Sequence, residues 1–282
     1  MEITLDCIPC MLKQALEASR MVTNDIEQQE KIVEEALSIL LAFKAYRNAP
    51  DLARGIQRII KDITGTEDAY YDIKRRDLDA ANKLYPFLQE FIKKQDGELY
   101  WALKTAATGN NIDAAIYQDI DVKRCVEQEL DKEFSVCDLT LFKDKLKVAS
   151  NILILGDNTG ETVFDKILIE SLPDIPVTYG VRSEPILNDA TIQEAYDSGL
   201  GEVSRIVSTG CNAPGTILEE CNKEFITLFH QADLIISKGQ GNFEALSEQK
   251  GNLFFLLKAK CPMIANKLNV ELNDYVFKYS GS

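Results

Sequence analysis

The chain has 282 residues, 45% hydrophobic and 27% charged, with 8 prolines and no low-complexity tract, so it reads as an ordinary globular protein with room for two unequal parts. A formal net charge of -14 sets a repulsive average field against phosphate backbones and anionic lipid, which argues against nucleic-acid and membrane partners. The opening MEITLDCIPCMLKQAL carries Glu2 and Asp6 rather than a basic leader, and apolar stretches such as ALSILLAF are too short to span a bilayer, so a cytoplasmic location is expected.

In chain order, the first half places apolar residues three and four apart in IPCMLKQALEASRMV, EQQEKIVEEALSILLAFKAY, PDLARGIQRIIKDITG, LDAANKLYPFLQEFIKKQ, ELYWALKTAATGN and DVKRCVEQELDKE. This spacing predicts a helical domain over 1–148, with a helix starting near Glu67 and Asp68 after the Thr-Gly break. From 149 to 282 short apolar runs (NILIL, PVTYGVR, SRIVST, DLIIS, NLFFLLKA) alternate with helical stretches. CPMIAN is a candidate further strand. The alternation predicts a three-layer α/β/α, Rossmann-like domain with a mostly parallel sheet and a ligand crevice at the carboxyl ends of its strands.

The polar residues that follow those strands form four loops. GDNTGE supplies Asp157 and Asn158, and SEPILNDAT supplies Asp189, oxygen ligands of the kind Mg²⁺ or Mn²⁺ prefers. GCNAPGT and KGQGN supply glycines at 210, 215, 239 and 241 that admit an anion to backbone N–H groups, and Lys238 adds a full positive charge. Each loop alone is equally a turn or a helix cap; together they point to a metal beside an anion cradle and to phosphoryl chemistry. GDNTGE lacks the GxGxxG spacing of a dinucleotide loop, and an acid inside such a loop would repel a bare pyrophosphate.

Seven cysteines make an odd set unlike a secreted disulfide framework, and the single histidine, His230, reads as an end-of-helix residue. Cys7 and Cys10 form a CxxC open to three readings: packing, half of a metal site, or a redox pair.

The segments LGDNTGE, PILNDAT, STGCNAPGT and DLIISKGQGNFEAL, with ATGNNID at 107–113 and Asp72-Ile73-Lys74, resemble the DUF89 family of metal-dependent, damage-control phosphatases, and the CxxC resembles its short members. The resemblance covers nearly the whole chain. It implies a helical amino-terminal domain packed on an α/β/α domain with the active site between them. Asp157, Asn158 and Asp189 would hold a divalent Mg, Mn, Co or Ni ion, and Lys238, Gly239, Gly241 and Asn242 would bind phosphate. Gly109, Asn110 and Asp113 would line the substrate side. The implied reaction is hydrolysis of a phosphomonoester on a small phosphorylated metabolite, a sugar phosphate or a damaged intermediate. Water is the economical nucleophile, with Glu161 or Asp157 accepting its proton, since the DxDx of aspartyl phosphatases is absent. A carboxyl methyltransferase using S-adenosylmethionine and a non-catalytic metabolite-binding protein are the alternatives. Substrate, physiological metal and oligomeric state are not legible.

Overall fold

A computed structural model describes residues 1–109 and 122–281; Asn110 and Asp113 therefore lie outside the described residues. The chain opens with three helices, α1 (Cys7–Val22), α2 (Ile26–Leu41) and α3 (Ala49–Thr64). Asp25 and Asn48 cap the second and third by accepting backbone N–H bonds, and α3 stops at Gly65, whose φ of 71° suits glycine. Their inner faces meet in one cluster that includes Ala15, Ala36, Leu52, Ile56 and Ile60.

The next helix, α4 (Tyr71–Lys93), begins later than the acidic cluster at 67–68 suggests. Asp68 is used in a turn, accepting from the Tyr70 N–H, and it also pairs with the buried Lys74 at 2.6 Å. Lys74 reaches Glu194 at 2.5 Å on its other side, which ties α4 to the carboxyl end of the sheet. Helices α5 (Glu98–Thr108) and α6 (Val122–Leu130) follow, then strand β1 (Phe134–Cys137) and helix α7 (Leu139–Leu146). β1 precedes residue 149 and still joins the sheet, beside β7. Its alternating half-buried pattern is that of an edge strand and is too short to interrupt a helical reading.

The remaining elements alternate: β2 (Ile152–Leu155), α8 (Glu161–Glu170), β3 (Val177–Val181), α9 (Ile192–Asp197), β4 (Arg205–Ser208), α10 (Lys223–Gln231), β5 (Leu234–Lys238), α11 (Gly239–Leu246), β6 (Leu253–Lys258), α12 (Pro262–Leu268) and β7 (Tyr275–Tyr279). CPMIAN begins a helix rather than a strand, because Pro262 in the first turn has its φ preset and no N–H to lose. His230 is exposed in the last turn of α10, as expected. The seven strands run in the order β1-β7-β6-β5-β2-β3-β4, parallel except between β6 and β7. Ile152 and Ile154 enter the core under α4, α5 and α8, while Leu153 and Leu155 enter the core under α10, α11 and α12. Helices therefore cover both faces. The order of connection reverses between β2 and β5, so the crevice outside their carboxyl ends is where an open parallel sheet binds its ligand. No described helix is long and apolar enough to cross a membrane.

One core residue breaks the pattern. Lys104 on α5 is fully buried, with Nζ 3.1 Å from the Tyr275 ring centroid and no hydrogen-bond acceptor among the described residues. Burial pushes its pKa down to about 7, against a weaker pull from Glu129. The folded value lies below that of an unfolded lysine, about 10.4. The unfolded chain thus binds more protons across that window, and stability rises with pH between the two values. Lys104→Met is expected to stabilise the protein at pH 7 by about 1 kcal/mol and to flatten this rise, as read by urea unfolding at pH 7 and pH 9.5.

Candidate active site

β2 lies between β3 and β5 and leads into Gly156, whose N–H donates to Gly180 at 2.9 Å. The loop after it runs beside the loop after β3. Thr159 N–H donates to Asn188 at 2.8 Å, Ala190 N–H donates to Asp157 at 2.9 Å, and Asn158 bridges to Asp189. This pairing brings the three expected metal ligands together on two adjoining strand ends.

Asp157 and Asp189 are joined by a residue outside the expected set. Arg182, the last residue of PVTYGVR, is fully buried, and its Nε donates to Asp189 Oδ2 at 2.7 Å. Its Nη1 donates to Thr216 Oγ1 at 3.0 Å and to Asn242 Oδ1 at 3.1 Å, and Nη2 lies 3.7 Å from Asp157 Oδ1. One guanidinium touches all four strand-end loops. Asn242 also receives the Thr216 N–H at 2.8 Å and donates to the carbonyls of Gly156 and Lys238. It is a buried bracket between loops. A charged residue ending an otherwise apolar strand was the available signal for Arg182; Thr216 and Asp165 carried none.

Gly239 opens α11 at φ 76°, and a Cβ there would overlap Asp157 Oδ2. Gly241 is as tight against the Pro214 carbonyl. Both glycines let backbone reach backbone and carboxylate at this junction. Gly239→Ala is expected to destabilise the protein by about 3 kcal/mol through strain and overlap, measured as a fall in the urea midpoint.

Lys238 faces inward. Its Nζ donates to Glu161 Oε2 at 2.9 Å, Asp165 Oδ1 at 2.5 Å and the Ala106 carbonyl at 3.0 Å, which uses its three N–H donors. Tyr179 OH donates to the other Asp165 oxygen at 2.6 Å. Gly109 ends α5 against the start of α8: a Cβ there would come 3.3 Å from Glu161 Cα.

Burial raises Asp157 well above the usual carboxylate range, and the neighbouring Asp189 and Glu161 charges raise it further against Arg182 and Lys238. Burial also raises Asp189, against Arg182. Glu161 is pushed up to about 7 by burial, which outweighs Lys238. For Lys238 burial acts downward, and Asp165 and Glu161 outweigh it to hold the ammonium charged. Four buried carboxylates, Asp157, Glu161, Asp165 and Asp189, share two buried cations, Arg182 and Lys238. At full ionisation these six described groups carry two more negative than positive charges. Among the described residues no three His, Cys, Asp or Glu side chains group as metal ligands, so the candidate set is two carboxylates and the Asn158 carboxamide. This all-oxygen set and its charge deficit fit a hard divalent cation.

A cleft of about 860 Å³ lies between α3 and the loops after β3 and β4, with Arg54, Lys61, Tyr70, Glu184, Leu187 and Asn212 among its walls. It adjoins Asp189 through Leu187, which holds a positive φ of 48°. At the far end of the chain, Cys7 starts α1 and Cys10 is exposed; burial raises the Cys10 thiol, with Cys261 and Cys7 adding to it.

The sequence matches the damage-control phosphatase ARMT1-like domain over residues 3–276. The chain belongs to the ARMT1-like, or DUF89, damage-control phosphatase family. A damage-control phosphatase of Pyrococcus horikoshii is 35% identical over 96% of this chain and 95% of its own length. One from Archaeoglobus fulgidus is 29% identical over 99% of each chain, and an uncharacterised protein of Methanocaldococcus jannaschii is 30% identical over 98% and 94%. The crystal structure of a DUF89 family protein from Pyrococcus horikoshii superposes with a TM-score of 0.89 at 32% identity, covering 99% of both chains. Membership supports a phosphatase-like role for the chain.

Proposed function

We propose that the chain is a metal-dependent phosphatase that hydrolyses a phosphomonoester of a small metabolite, such as a sugar phosphate or a damaged phosphometabolite. The observation that carries this reading is the convergence of four strand-end loops, at the reversal point of the sheet, on a buried centre whose described carboxylates outnumber its described cations. Asp157, Asn158 and Asp189 would hold the divalent Mg, Mn, Co or Ni ion. When bound, that ion supplies neutralisation of charge on the transferring phosphoryl oxygens.

The chain's own groups supply the rest. Glu161, with its pKa near 7, accepts a proton from the attacking water, and Lys238 and Asp165 fix its position. The backbone N–H groups of Gly239 and Gly241, at the start of α11, would bind the phosphate. Asn242 holds that turn in register, and a direct phosphate contact from Lys238 requires it to exchange one of its three present acceptors. Gly109, together with Asn110 and Asp113 outside the described residues, would line the substrate side, with neither nucleic acid nor membrane taking part.

Phosphate release from a panel of phosphometabolites, assayed with Mg²⁺, Mn²⁺, Co²⁺ and Ni²⁺ and again after EDTA, tests the proposal. The expected result is turnover of at least one ester that EDTA abolishes and added metal restores. Metal-independent methyl transfer from S-adenosylmethionine, with no ester hydrolysed, would contradict it.

A further inference from the structure

Two thiols beside the site have no part in the phosphatase reading. Cys211 is fully buried just after β4, and Cys221 is half-buried just ahead of α10. The chain leaves and returns at one place: Asn222 N–H donates to Thr209 at 2.9 Å, and Asn222 Nδ2 donates to Ser208 at 3.0 Å. The crossing is close, since a Cβ on Gly210 would come 2.6 Å from the Asn222 nitrogen. The two thiols consequently pack into one small cluster with Ala213 and Ile217. The neighbouring Cys221 thiol, aided by the Ala213 and Ile217 backbone, pulls the Cys211 thiol down to about 6, while the Cys221 thiol is pushed up. Two cysteines packed in one cluster on hydrogen-bonded backbone segments are neighbours between which a disulfide can form, and the more acidic thiol is the natural point of first oxidation.

We propose that Cys211 and Cys221 are a peroxide-oxidisable pair whose disulfide reversibly disturbs the loop that carries Thr216. The Cys211 thiolate attacks one oxygen of hydrogen peroxide, breaking the O–O bond to give a sulfenic acid and hydroxide, which takes a proton to become water. The Cys221 sulfur then attacks the sulfenic sulfur, the S–S bond forms, and the displaced hydroxyl leaves with the Cys221 proton as a second water. Two thiols lose two electrons; one peroxide becomes two waters.

The coupling to the site runs through Gly215, Thr216 and Ile217. Cys211 Sγ holds the Gly215 carbonyl at 3.5 Å and Cys221 Sγ holds the Ile217 carbonyl at 3.3 Å; the disulfide gives up both thiol hydrogens. Between them Thr216 bonds Asn242 and receives Arg182, and Gly215 has no slack against the Gly241 carbonyl. Displacing this stretch loosens the hold on Arg182 and with it on Asp189.

The experiment is peroxide treatment of the full chain, followed by non-reducing digestion after Glu219 and Glu220, which lie between the two cysteines. A linked Cys211–Cys221 peptide pair is expected, and Cys221→Ser should instead accumulate a dimedone-reactive sulfenic acid at Cys211. Free Cys211 and Cys221, with oxidation confined to the exposed CxxC, would overturn the proposal. The functional arm rests on the phosphatase reading: oxidation should lower ester turnover by about tenfold or more, dithiothreitol should restore it, and Cys221→Ser should resist the loss. Unchanged turnover in the linked protein would overturn the coupling. The peptide arm decides the thiol chemistry even if no ester is hydrolysed.

Discussion

Asp157→Asn is expected to lower metal-dependent phosphate release by about 10³-fold or more, roughly 4 kcal/mol of barrier, while the metal-free protein stays at least as stable as the parent. The two effects share one cause. Asp157 is buried beside Asp189 and Glu161, and the neighbours that raise its pKa show that its charge is held at a cost in the absence of a cation. Asparagine keeps the volume and removes the repulsion, so the apo protein is relieved. The same substitution removes one of two carboxylates available to a divalent ion. The loss of its weak pairing with Arg182, at 3.7 Å, is small beside the relief. Parallel turnover assays and urea unfolding in EDTA measure both halves; retained metal-dependent turnover would sink the ligand assignment, and a large loss of apo stability would contradict the charge-deficit account.

Arg182→Met should have the largest effect on stability, about 3–5 kcal/mol, because it leaves Asp189 buried without its cation and strips Thr216 and Asn242 of a shared donor. Arg182→Lys restores a charge but not the planar fork that reaches four loops, so it should recover only part of the loss. Urea midpoints for the two variants test this. A methionine variant within about 0.5 kcal/mol of the parent would show that the four loops do not depend on the guanidinium.

The α/β region was legible because its central strands are buried on both faces and read as short apolar runs: every residue of ILIL and of the LII that opens β5 is buried. β1 was not, since FSVC alternates and sits at a sheet edge between two helices. The CPMIAN segment misled because its apolar run is too short for periodicity to separate helix from strand, although its proline held the answer. Asp157, Asn158 and Asp189 could be nominated because oxygen-bearing side chains after buried strands have a chemical signature. The backbone pairing that brings them together is long-range and has none. Arg182 sits inside a strand-like segment, and only the folded arrangement shows its carboxylates. Lys238 shows the converse: the residue type suggested a phosphate handle, whereas its ammonium is met by Glu161, Asp165 and the Ala106 carbonyl, the two carboxylates lying 77 and 73 positions earlier in the chain.

The central claim is that Asp157, Asn158 and Asp189 hold a divalent ion, and anomalous diffraction at the manganese edge from crystals grown with Mn²⁺ tests it most directly. The account predicts a single strong peak within bonding distance of oxygens from all three side chains. A peak confined to another place, such as the Cys7 and Cys10 thiols, or no peak beside Asp157 and Asp189 in metal-saturated crystals, would contradict it.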